Sequence, residues 1–455
     1  METLAIRANK IFLFLLLFAK PIQAQTLPWQ DQDFLCTDQK IADRYIRELN
    51  IDVRSFGGFE LCNSKIDTKK LFNDLEIIEK GIYQAQGNNK LIKGFVPADR
   101  YYSWLKSQTR GMSRGNDIPY AIAYNSGGHF VMQDGWASLS TLGRIGTLVH
   151  EARHTAGFGH LRCRQGPYAN TSVPGCDSHY DQGGSHAVEM EYYARVHLYG
   201  TNFHPVYKSM ARLMAMARAN FVFNQPVLSA REALLTMEPS GAIWLYDRGE
   251  WFLRQSPRAS GKLKRTSFGA SLLDGELAWA LDPYAVTGDP SPIEDAYSYF
   301  KLLGRETKGA VLDLEEFDSG QLRLLIKITT KGDVAQYNFA RGGWHTAKAI
   351  GFIPQSTSTI TPTGRRGYFA VSPAAEIFAY DPAAQNFVRT PELWPEDLAA
   401  AVNLGGQILF LSRTDGLIYT PTAKGTLEPW PNLKSGLKLQ QMVAVPLYDA
   451  FEIVR

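Results

Sequence analysis

Residues 150–160 place three histidines and one glutamate where a helix followed by a tight turn can bring them together. The segment reads His-Glu-Ala-Arg-His-Thr-Ala-Gly-Phe-Gly-His. Because residues four apart lie one turn above each other on the same helix face, His150 and His154 can bind one cation from a rigid surface. Gly157 permits the left-handed turn that ends such a helix, so His160 can swing round as a third nitrogen ligand. The segment therefore predicts a cation site at the end of a helix.

This arrangement is typical of a catalytic rather than a structural zinc site. Three histidine ligands leave a fourth position open for water. Glu151 is offset to the side of the histidine pair, where its carboxylate can reach a metal-bound water without being a ligand. The alternative is a charged, solvated helix face with an incidental third histidine, which the added Gly157 and His160 disfavour.

The extended pattern H-E-x-x-H-x-x-G-x-x-H, matched at all five defining positions, resembles that of the metzincin clan of zinc metallopeptidases. The resemblance extends over about residues 119–193 of this chain. It implies that His150, His154 and His160 bind Zn²⁺ and that Glu151 is the general base of peptide hydrolysis.

This sequence departs from the clan pattern at one position and offers only a candidate for another of its features. The residue after the third histidine is Leu161, whose apolar side chain matches none of the polar types expected there, so the family within the clan is not identified. The clan also has a methionine in a tight turn beneath the metal, for which Met190 is the candidate. Tyr192, two residues later, is a candidate oxyanion stabiliser, with Tyr193 as the alternative. Residues 185–199 nevertheless read as an uninterrupted helix, in which a methionine is most often core packing.

The same helix offers a rival for the third ligand. Another group of zinc peptidases uses a glutamate from a later helix, and Glu189 or Glu191 could fill that role and leave His160 incidental. Gly157 and the spacing of His160 favour the three-histidine site. Four further polar residues nearby are interpreted as parts of a polar loop: Asp177, His179, Asp181 and His186.

The residues before the motif predict a hairpin and the start of the motif helix. Residues 119–124 and 129–133 are short strand-like runs joined by the turn sequence Asn-Ser-Gly-Gly. Ser138 or Ser140 can then cap a helix whose apolar face leads into the motif. By the metzincin resemblance, an extended substrate adds to a sheet edge, and residues 121–124 or 130–133 are the candidates for that edge. The alternative is that both runs lie inside the sheet.

The first 24 residues read as a signal peptide. Arg7 and Lys10 precede an apolar run over residues 11–19, and Ala24 supplies a small residue near a cleavage point. The run is too short to span a bilayer comfortably, and a retained anchor is the alternative. We therefore expect a secreted or periplasmic protein with no membrane span after signal removal.

All four cysteines lie beyond this segment, and an even count in an oxidising compartment favours disulfides. Nearest-neighbour pairing joins Cys36 to Cys62 and Cys163 to Cys176. The second bridge would close a loop that starts three residues after His160 and would hold the third ligand in place. Metal ligation by the cysteines is disfavoured, because their spacing contains no C-x-x-C.

Charge and size restrict the remaining function classes. A net charge of +3 over 455 residues, without a basic run, gives no support for nucleic-acid binding. With 45% hydrophobic residues the chain can bury full-sized cores, and its length suggests about two or three domains.

Residues 25–237 are predicted to form a zincin-like α+β catalytic domain. Its residues up to about 110 are mainly helical and form either a pro-segment or, the favoured interpretation, the N-terminal half of the domain. Later in the domain, Pro205 fits the first turn of a helix. Ser229 and Glu232 have the capping-box spacing for a last helix that ends near Met237.

Residues 238–455 consist of short apolar runs broken by Gly, Pro, Asp and Asn, which predicts an all-β domain. Phrases of one type recur around Tyr337, Tyr380 and Tyr419, at spacings of 43 and 39 residues. Tyr246 lies 91 residues before Tyr337, about two such periods, with a blurred copy at residues 276–281 between them. Such a period is typical of a β-propeller, and about five blades fit. A β-sandwich is the alternative, because the repeats match no named blade motif.

The expected fold class is therefore multidomain α+β: a zincin-like α+β domain followed by an all-β domain, a β-propeller of about five blades. Two functions fit this organisation. The first is an exported zinc-dependent endopeptidase acting on protein or peptide substrates, whose propeller binds a protein or glycan ligand. The second is a non-enzymatic surface or periplasmic binding protein in which zinc only stiffens one domain. Glu151 favours the enzyme, because a structural zinc site needs no carboxylate there.

Overall fold

The computed structural model describes residues 37–60, 67–83, 88–118, 121–164, 174–255, 261–266, 269–274, 277–284, 311–318, 323–329, 334–340, 343–349, 356–372, 374–381, 384 and 386–453. The predicted signal peptide and two cysteines, Cys36 and Cys62, lie outside the described residues. No helix in this described part of the chain is long and apolar enough to cross a membrane.

Six α-helices make up most of the first part of the described chain. In order they are α1 (Gln39–Leu49), α2 (Asp67–Lys80), α3 (Tyr101–Gln108), α4 (Thr141–Thr155), α5 (Ser185–Tyr199) and α6 (Pro205–Phe221). The first three confirm that the residues before 110 are mainly helical. Asp74 of α2 pairs with Arg144 of α4, and both side chains are fully buried. The early helices therefore share the hydrophobic core of α4.

Local sequence sets the ends of α1 and the start of α4. Asp38 accepts a hydrogen bond from the backbone N–H of Lys40, and Asn50 ends α1 in the left-handed conformation at φ 46°. At α4, the Ser140 hydroxyl accepts from the backbone N–H of Gly143 at 3.2 Å. Ser140 is therefore the cap of the motif helix, one of the two residues predicted for that position.

A three-stranded sheet lies beside α4. Strand β1 (Gly111–Arg114) pairs in parallel with β3 (His129–Met132), and β3 pairs antiparallel with β2 (Ala123–Ser126). The order β1-β3-β2 confirms the predicted hairpin and places β2 at an edge. The alternative that residues 130–133 form the edge is wrong, because β3 has a partner strand on both sides.

The motif helix α4 packs against this sheet and against α2 and α5. Its buried apolar side chains recur at helical spacing: Leu142, Ile145, Leu148 and Val149. Where α4 meets α5, Gly146 permits a close approach, since a Cβ at this position would lie 1.7 Å from the hydroxyl oxygen of Tyr193. The end of α4 that carries the motif is thereby fixed against α5.

From Ala230 onward the regular structure of the described residues is all β. The strands are β4 (Ala230–Met237), β5 (Ile243–Asp247), β6 (Glu250–Gln255), β7 (Lys262–Thr266), β8 (Gly269–Asp274), β9 (Leu277–Leu281), β10 (Val311–Asp318), β11 (Arg323–Thr329), β12 (Val334–Ala340), β13 (Gly343–Ala349), β14 (Ser356–Ile360), β15 (Arg366–Val371), β16 (Glu376–Asp381), β17 (Asn386–Leu393), β18 (Leu398–Leu404), β19 (Gln407–Ser412), β20 (Ile418–Pro421), β21 (Leu427–Pro429) and β22 (Gln441–Tyr448).

Strand β4 occupies the segment for which the capping-box spacing at Ser229 and Glu232 predicts a helix, so that prediction is wrong. β4 pairs with β5 on one side and with β22 on the other. These long-range pairings outweigh the local helix signal, because they bury most of the strand. The all-β part therefore begins inside the range 25–237 that was predicted for the first domain.

Five sheets of the described residues follow one another around a ring, which we call the sheet ring. They are β22-β4-β5-β6, β7-β8-β9, β10-β11-β12-β13, β14-β15-β16-β17 and β18-β19-β20-β21. Neighbouring sheets touch through their first strands, in the cyclic order β22, β7, β10, β14, β18 and back to β22. The predicted all-β part is confirmed, and its sheets have the cyclic order of a β-propeller.

The helices and the sheet ring share one continuous hydrophobic cluster. At their contact, Arg212 of α6 pairs with Asp282 after β9, with 3.1 Å between Nε and Oδ2 and both side chains almost fully buried. The guanidinium also lies over the ring of Tyr284, 4.7 Å from its centroid. A second contact joins α6 to β22, where Nδ2 of Asn220 donates to the hydroxyl of Tyr448 at 2.9 Å.

Replacing Arg212 by methionine should lower the free energy of unfolding by about 3–5 kcal/mol, because Asp282 would be left as a buried, unpaired charge. The matched control is Arg265→Met, which removes a half-exposed pair with Glu232 and should cost less than about 1 kcal/mol. Denaturant unfolding of both variants measures the difference. Equal losses would contradict a special role for the buried pair.

Candidate metal centre

The three predicted ligands converge at the C-terminal end of α4. His150 and His154 lie one turn apart on the helix, and the chain turns at Gly157, whose φ is 90°. This turn brings back His160, whose Nε2 lies 3.0 Å from Nε2 of His150. One ligand nitrogen of each histidine lies within 4.8 Å of the other two. The structure therefore brings all three predicted ligands together.

Two of the three imidazoles are held from behind by buried carboxylates. Nδ1 of His150 lies 3.3 Å from Oε2 of Glu189, and Nδ1 of His160 lies 3.3 Å from Oδ1 of Asp177. A carboxylate only accepts hydrogen bonds, so the proton of each neutral ring lies on Nδ1. Nε2 then keeps its lone pair for a ligand.

His154 follows the same rule with a different acceptor, since its Nδ1 donates to the backbone carbonyl of Phe158. Nε2 is thus the atom left for a ligand in all three rings. The Nε2 lone pairs of His150 and His160, 3.0 Å apart, repel one another unless a cation lies between them. Three neutral imidazoles are a donor set that suits Zn²⁺, so the residues fit a zinc ion.

Burial keeps His150 and His154 in the neutral form that can bind a metal. It lowers the pKa of His150 well below the usual range, and nearby His186 adds to the effect. Burial, followed by the charge of His160, lowers the pKa of His154 to about 4. Because metal ligation requires a neutral imidazole, His150 and His154 can bind a cation at neutral pH.

Glu151 is the buried acid of the site. The residue is 4% exposed, and among the described residues its Oε2 has no hydrogen-bond partner. Burial, and then the charge of Glu189, raises the pKa of Glu151 to about 8. Asn125 of β2 holds its backbone, because Nδ2 of Asn125 donates to the Glu151 carbonyl at 2.5 Å and to the Thr155 hydroxyl at 2.7 Å. A buried carboxyl oxygen without a structural partner is available for proton transfer.

Glu191, one of the two rival ligands, is used elsewhere. Its carboxylate accepts from the backbone N–H groups of residues 93–95 and from the guanidinium of Arg195, at 2.8–3.3 Å. The side chain is fully buried in these contacts. Glu191 therefore links the segment that precedes α3 to helix α5, and it does not replace His160 as a ligand.

Glu189, the other rival, lies behind His150. Its Oε1 accepts from the Tyr193 hydroxyl at 3.0 Å and from Arg218 at 2.7 Å. Burial acts to raise the pKa of Glu189, but the charge of Arg218 and the histidine hydrogen bonds hold it well below its usual range. His150, His186 and Glu189 could also surround a cation. Such a site would be closed to water, because His186 and Glu189 are buried and the carboxylate already pairs with Arg218.

The two remaining candidates on α5 lie in the core. Met190 lies inside the continuous helix α5 and is fully buried, so the Met-turn interpretation is wrong. Tyr192, the candidate oxyanion stabiliser, is fully buried against Tyr83 and Tyr101, with ring centroids 6.3 and 5.0 Å away. The structure therefore places Tyr192 in an aromatic cluster rather than beside the three histidines.

A disulfide joins Cys163 to Cys176, as predicted. Leu161 forms an isolated β-bridge with Cys176, and the next residue, Asp177, accepts the hydrogen bond from Nδ1 of His160. Burial acts to raise the pKa of Asp177, but the hydrogen bond from His160 and the neighbouring histidines lower it. The bridge therefore ties the chain after His160 to the acid that orients its ring.

The sequence interpretation missed Asp177 and His186, which it assigned to a polar loop. His186 stacks on His160, with ring centroids 4.6 Å apart and 23° between the planes, and its Nε2 lies 3.1 Å from the Gly175 carbonyl. One signal in the sequence could have pointed to them: Asp177 and His186 lie close to the start of α5, a helix that is apolar on several sides. Asp181, by contrast, is exposed as expected for a loop.

No family model and no curated protein matches the chain. The WD40 β-propeller domain of Doa1 is similar at 12% identity and TM-score 0.23, over 44% of this chain and 68% of that chain. YCF48 bound to D1 peptide is similar at 14% identity and TM-score 0.22, over 44% of this chain and 65% of that chain. AofleA from Arthrobotrys oligospora is similar at 12% identity and TM-score 0.25, over 48% of this chain and 90% of that chain. The chemistry assigned to the site therefore rests on its own residues.

If the site binds Zn²⁺, removing the Cys163–Cys176 bridge should weaken that binding by up to about 100-fold, because the uncrosslinked loop would have about 3 kcal/mol more chain entropy to lose when it orders around His160. Competition with a chromogenic chelator, on the double variant Cys163→Ala/Cys176→Ala, measures the change. Circular dichroism shows whether the fold is retained. Unchanged affinity in a folded variant would contradict the proposed tether.

Replacing Glu151 by glutamine should stabilise the metal-free protein, and more so at higher pH. The folded-state pKa of about 8 lies above the unfolded value of about 4.3. The stability contributed by the bound proton is therefore complete below about pH 4 and is lost as the pH rises through about 8. Glutamine does not titrate, so the gain in melting temperature over the wild type should grow between about pH 5 and pH 8. The exposed Glu428→Gln serves as control, and a gain independent of pH would count against the burial argument.

Proposed function

We propose that this protein is an exported zinc-dependent endopeptidase that hydrolyses protein or peptide substrates. The observation that carries the proposal is an open three-histidine site next to a buried, unpartnered acid. Ligand nitrogens of His150, His154 and His160 share one space, and Oε2 of Glu151 has no partner among the described residues. In this proposal the helical part is a zincin-like catalytic domain and the sheet ring is a five-bladed propeller.

Zinc held by the three histidines would polarise the scissile carbonyl and a bound water, and its charge would lower the pKa of Glu151. Glu151 would then accept a proton at Oε2 from the attacking water, whose oxygen bonds to the carbonyl carbon, and would deliver that proton to the amine nitrogen as the peptide C–N bond breaks. Glu189 and Asp177 would keep the rings of His150 and His160 in one tautomer and one orientation.

The edge strand β2 supports a substrate bound in extended form. Its outer edge has no partner strand in the described sheet, and Asn125 fastens β2 to the end of α4 beside Glu151. An extended peptide could add to this edge by main-chain hydrogen bonds and lie across the site. Such pairing requires little sequence specificity, as suits an endopeptidase.

The disulfide Cys163–Cys176 supports export, because disulfides persist mainly in oxidising compartments. In this proposal, cleavage near Ala24 releases the mature protein to the periplasm or the exterior. The sheet ring would then bind a protein or glycan ligand and bring the catalytic site to its substrate.

Glu151→Gln should keep one zinc per chain but lower peptide hydrolysis by at least about 100-fold, because the amide cannot accept a proton at neutral pH. Cleavage of unfolded, fluorophore-labelled proteins by the mature chain measures activity, and elemental analysis measures zinc. Glu428→Gln, which removes an exposed acid of β21 that is distant in sequence from the three histidines, should retain full activity. Activity surviving in Glu151→Gln would exclude this mechanism, and a zinc-loaded wild type without cleavage would favour the non-enzymatic binding protein.

A further inference from the structure

A cavity of about 550 Å³ lies where the β14–β17 sheet meets the β18–β21 sheet. Its walls come from the loops that follow β14 and β17 and from strands of the last sheet, and no residue of the metal centre lines it. The volume lies within the range of about 300–1,000 Å³ that is typical of small-ligand sites.

Two aromatic rings form one wall of this cavity, and both are held in place before any ligand binds. Phe410 of β19 pairs directly with Tyr419 of β20, and Phe410 packs in a buried cluster with Leu398. The Tyr419 hydroxyl donates to Oδ2 of Asp415 at 2.6 Å, which fixes the second ring. Rings held in place before binding spare the ligand the cost of ordering them.

Asp397, Ser412 and Thr414 add a polar edge to the same cavity. Asp397 is exposed, and its backbone carbonyl accepts from the N–H of Arg413 at 2.6 Å, which fixes its place in the loop. An ionised carboxylate only accepts hydrogen bonds, so this edge favours a ligand that is rich in donors.

We propose that this cavity binds a neutral sugar ring of a glycan. A pyranose presents C–H groups on its faces and hydroxyl groups around its edge. The C–H faces suit the rings of Phe410 and Tyr419, while the hydroxyls can donate to Asp397 and exchange hydrogen bonds with Ser412 and Thr414. The proposal is independent of the peptidase activity proposed above.

A peptide fits the same walls less well. Strands β19 and β20, which carry the aromatic wall, each have a partner strand on both sides, so this wall presents side chains and no strand edge to an extended peptide. A proline-rich peptide offers carbonyl acceptors and needs donors from its site. Among the lining side chains the Tyr419 phenol already donates to Asp415, so only the Ser412 and Thr414 hydroxyls could supply donors to such a peptide.

The test is calorimetric titration of the full mature chain with neutral methyl glycosides and short neutral oligosaccharides, and separately with a proline-rich peptide. We expect saturable binding of at least one neutral sugar at one site per chain. Asp397→Asn should weaken it at least about tenfold, because a hydrogen bond to a charged acceptor becomes one to a neutral amide. Tyr419→Ala should weaken it similarly by removing half of the aromatic wall. Glu428→Gln, which changes an exposed acid of β21 outside the cavity, should bind as the wild type does.

Absence of binding to every neutral sugar tested would overturn the proposal, as would sugar binding that Asp397→Asn leaves unchanged. Binding of the proline-rich peptide in place of the sugars would show that the cavity is a peptide site instead. Asp397 is exposed, so its variant should fold, and thermal unfolding checks this point. The outcome therefore stands even if Tyr419→Ala proves unstable.

Discussion

Buried acceptors behind the imidazoles are the contacts on which the cation site depends. Glu189 and Asp177 each hold one histidine ring at Nδ1, and the opposite nitrogen is thereby turned toward the shared space. Without such an acceptor a ring can rotate or exchange its tautomer, and its lone pair is lost to the site. Buried carboxylates are costly unless they are paired, and Arg218 lowers that cost for Glu189.

These acceptors require that the end of α4 and the start of α5 approach closely. Gly146 allows the contact, because no other residue would leave space for the Tyr193 hydroxyl that donates to Glu189. α5 is buried along its first twelve residues, from Ser185 to Val196. A helix enclosed in this way can present acids to a site and still remain shielded from water, which strengthens their hydrogen bonds to the histidine rings.

The sheet ring also completes the core of the helical part. Val445 and Leu447 of β22, together with Phe451 after it, lie in the same hydrophobic cluster as α4 and α6. The chain end therefore both closes the ring beside β4 and covers the helices. Burial of this shared surface makes the stability of the metal centre depend on strands that lie far from it in sequence.

Local spacing alone determined the motif helix, the left-handed turn at Gly157, the hairpin before the helix and the short-range bridge from Cys163 to Cys176. It limited the helix cap to Ser138 or Ser140, and the structure shows Ser140. Each depends on residues that are close in sequence, where helix geometry and turn chemistry decide the outcome. The period of about forty residues likewise predicted a series of similar sheets, because each repeat contributes strands to one sheet.

Tertiary structure alone decided which residues support the site and which strand lies at its edge. The strand at Ala230–Met237 forms because β22 pairs with it from more than 200 residues away, a contact that no local pattern encodes. Glu189 became an acceptor for His150, and Met190 became core, because the packing of α5 against α4 sets the face that each presents. Asp177 became the acceptor for His160 because a bridge to Phe223 and the neighbouring disulfide hold its segment in place. Sequence fixes which atoms are available as ligands, whereas burial and long-range packing determine where they point.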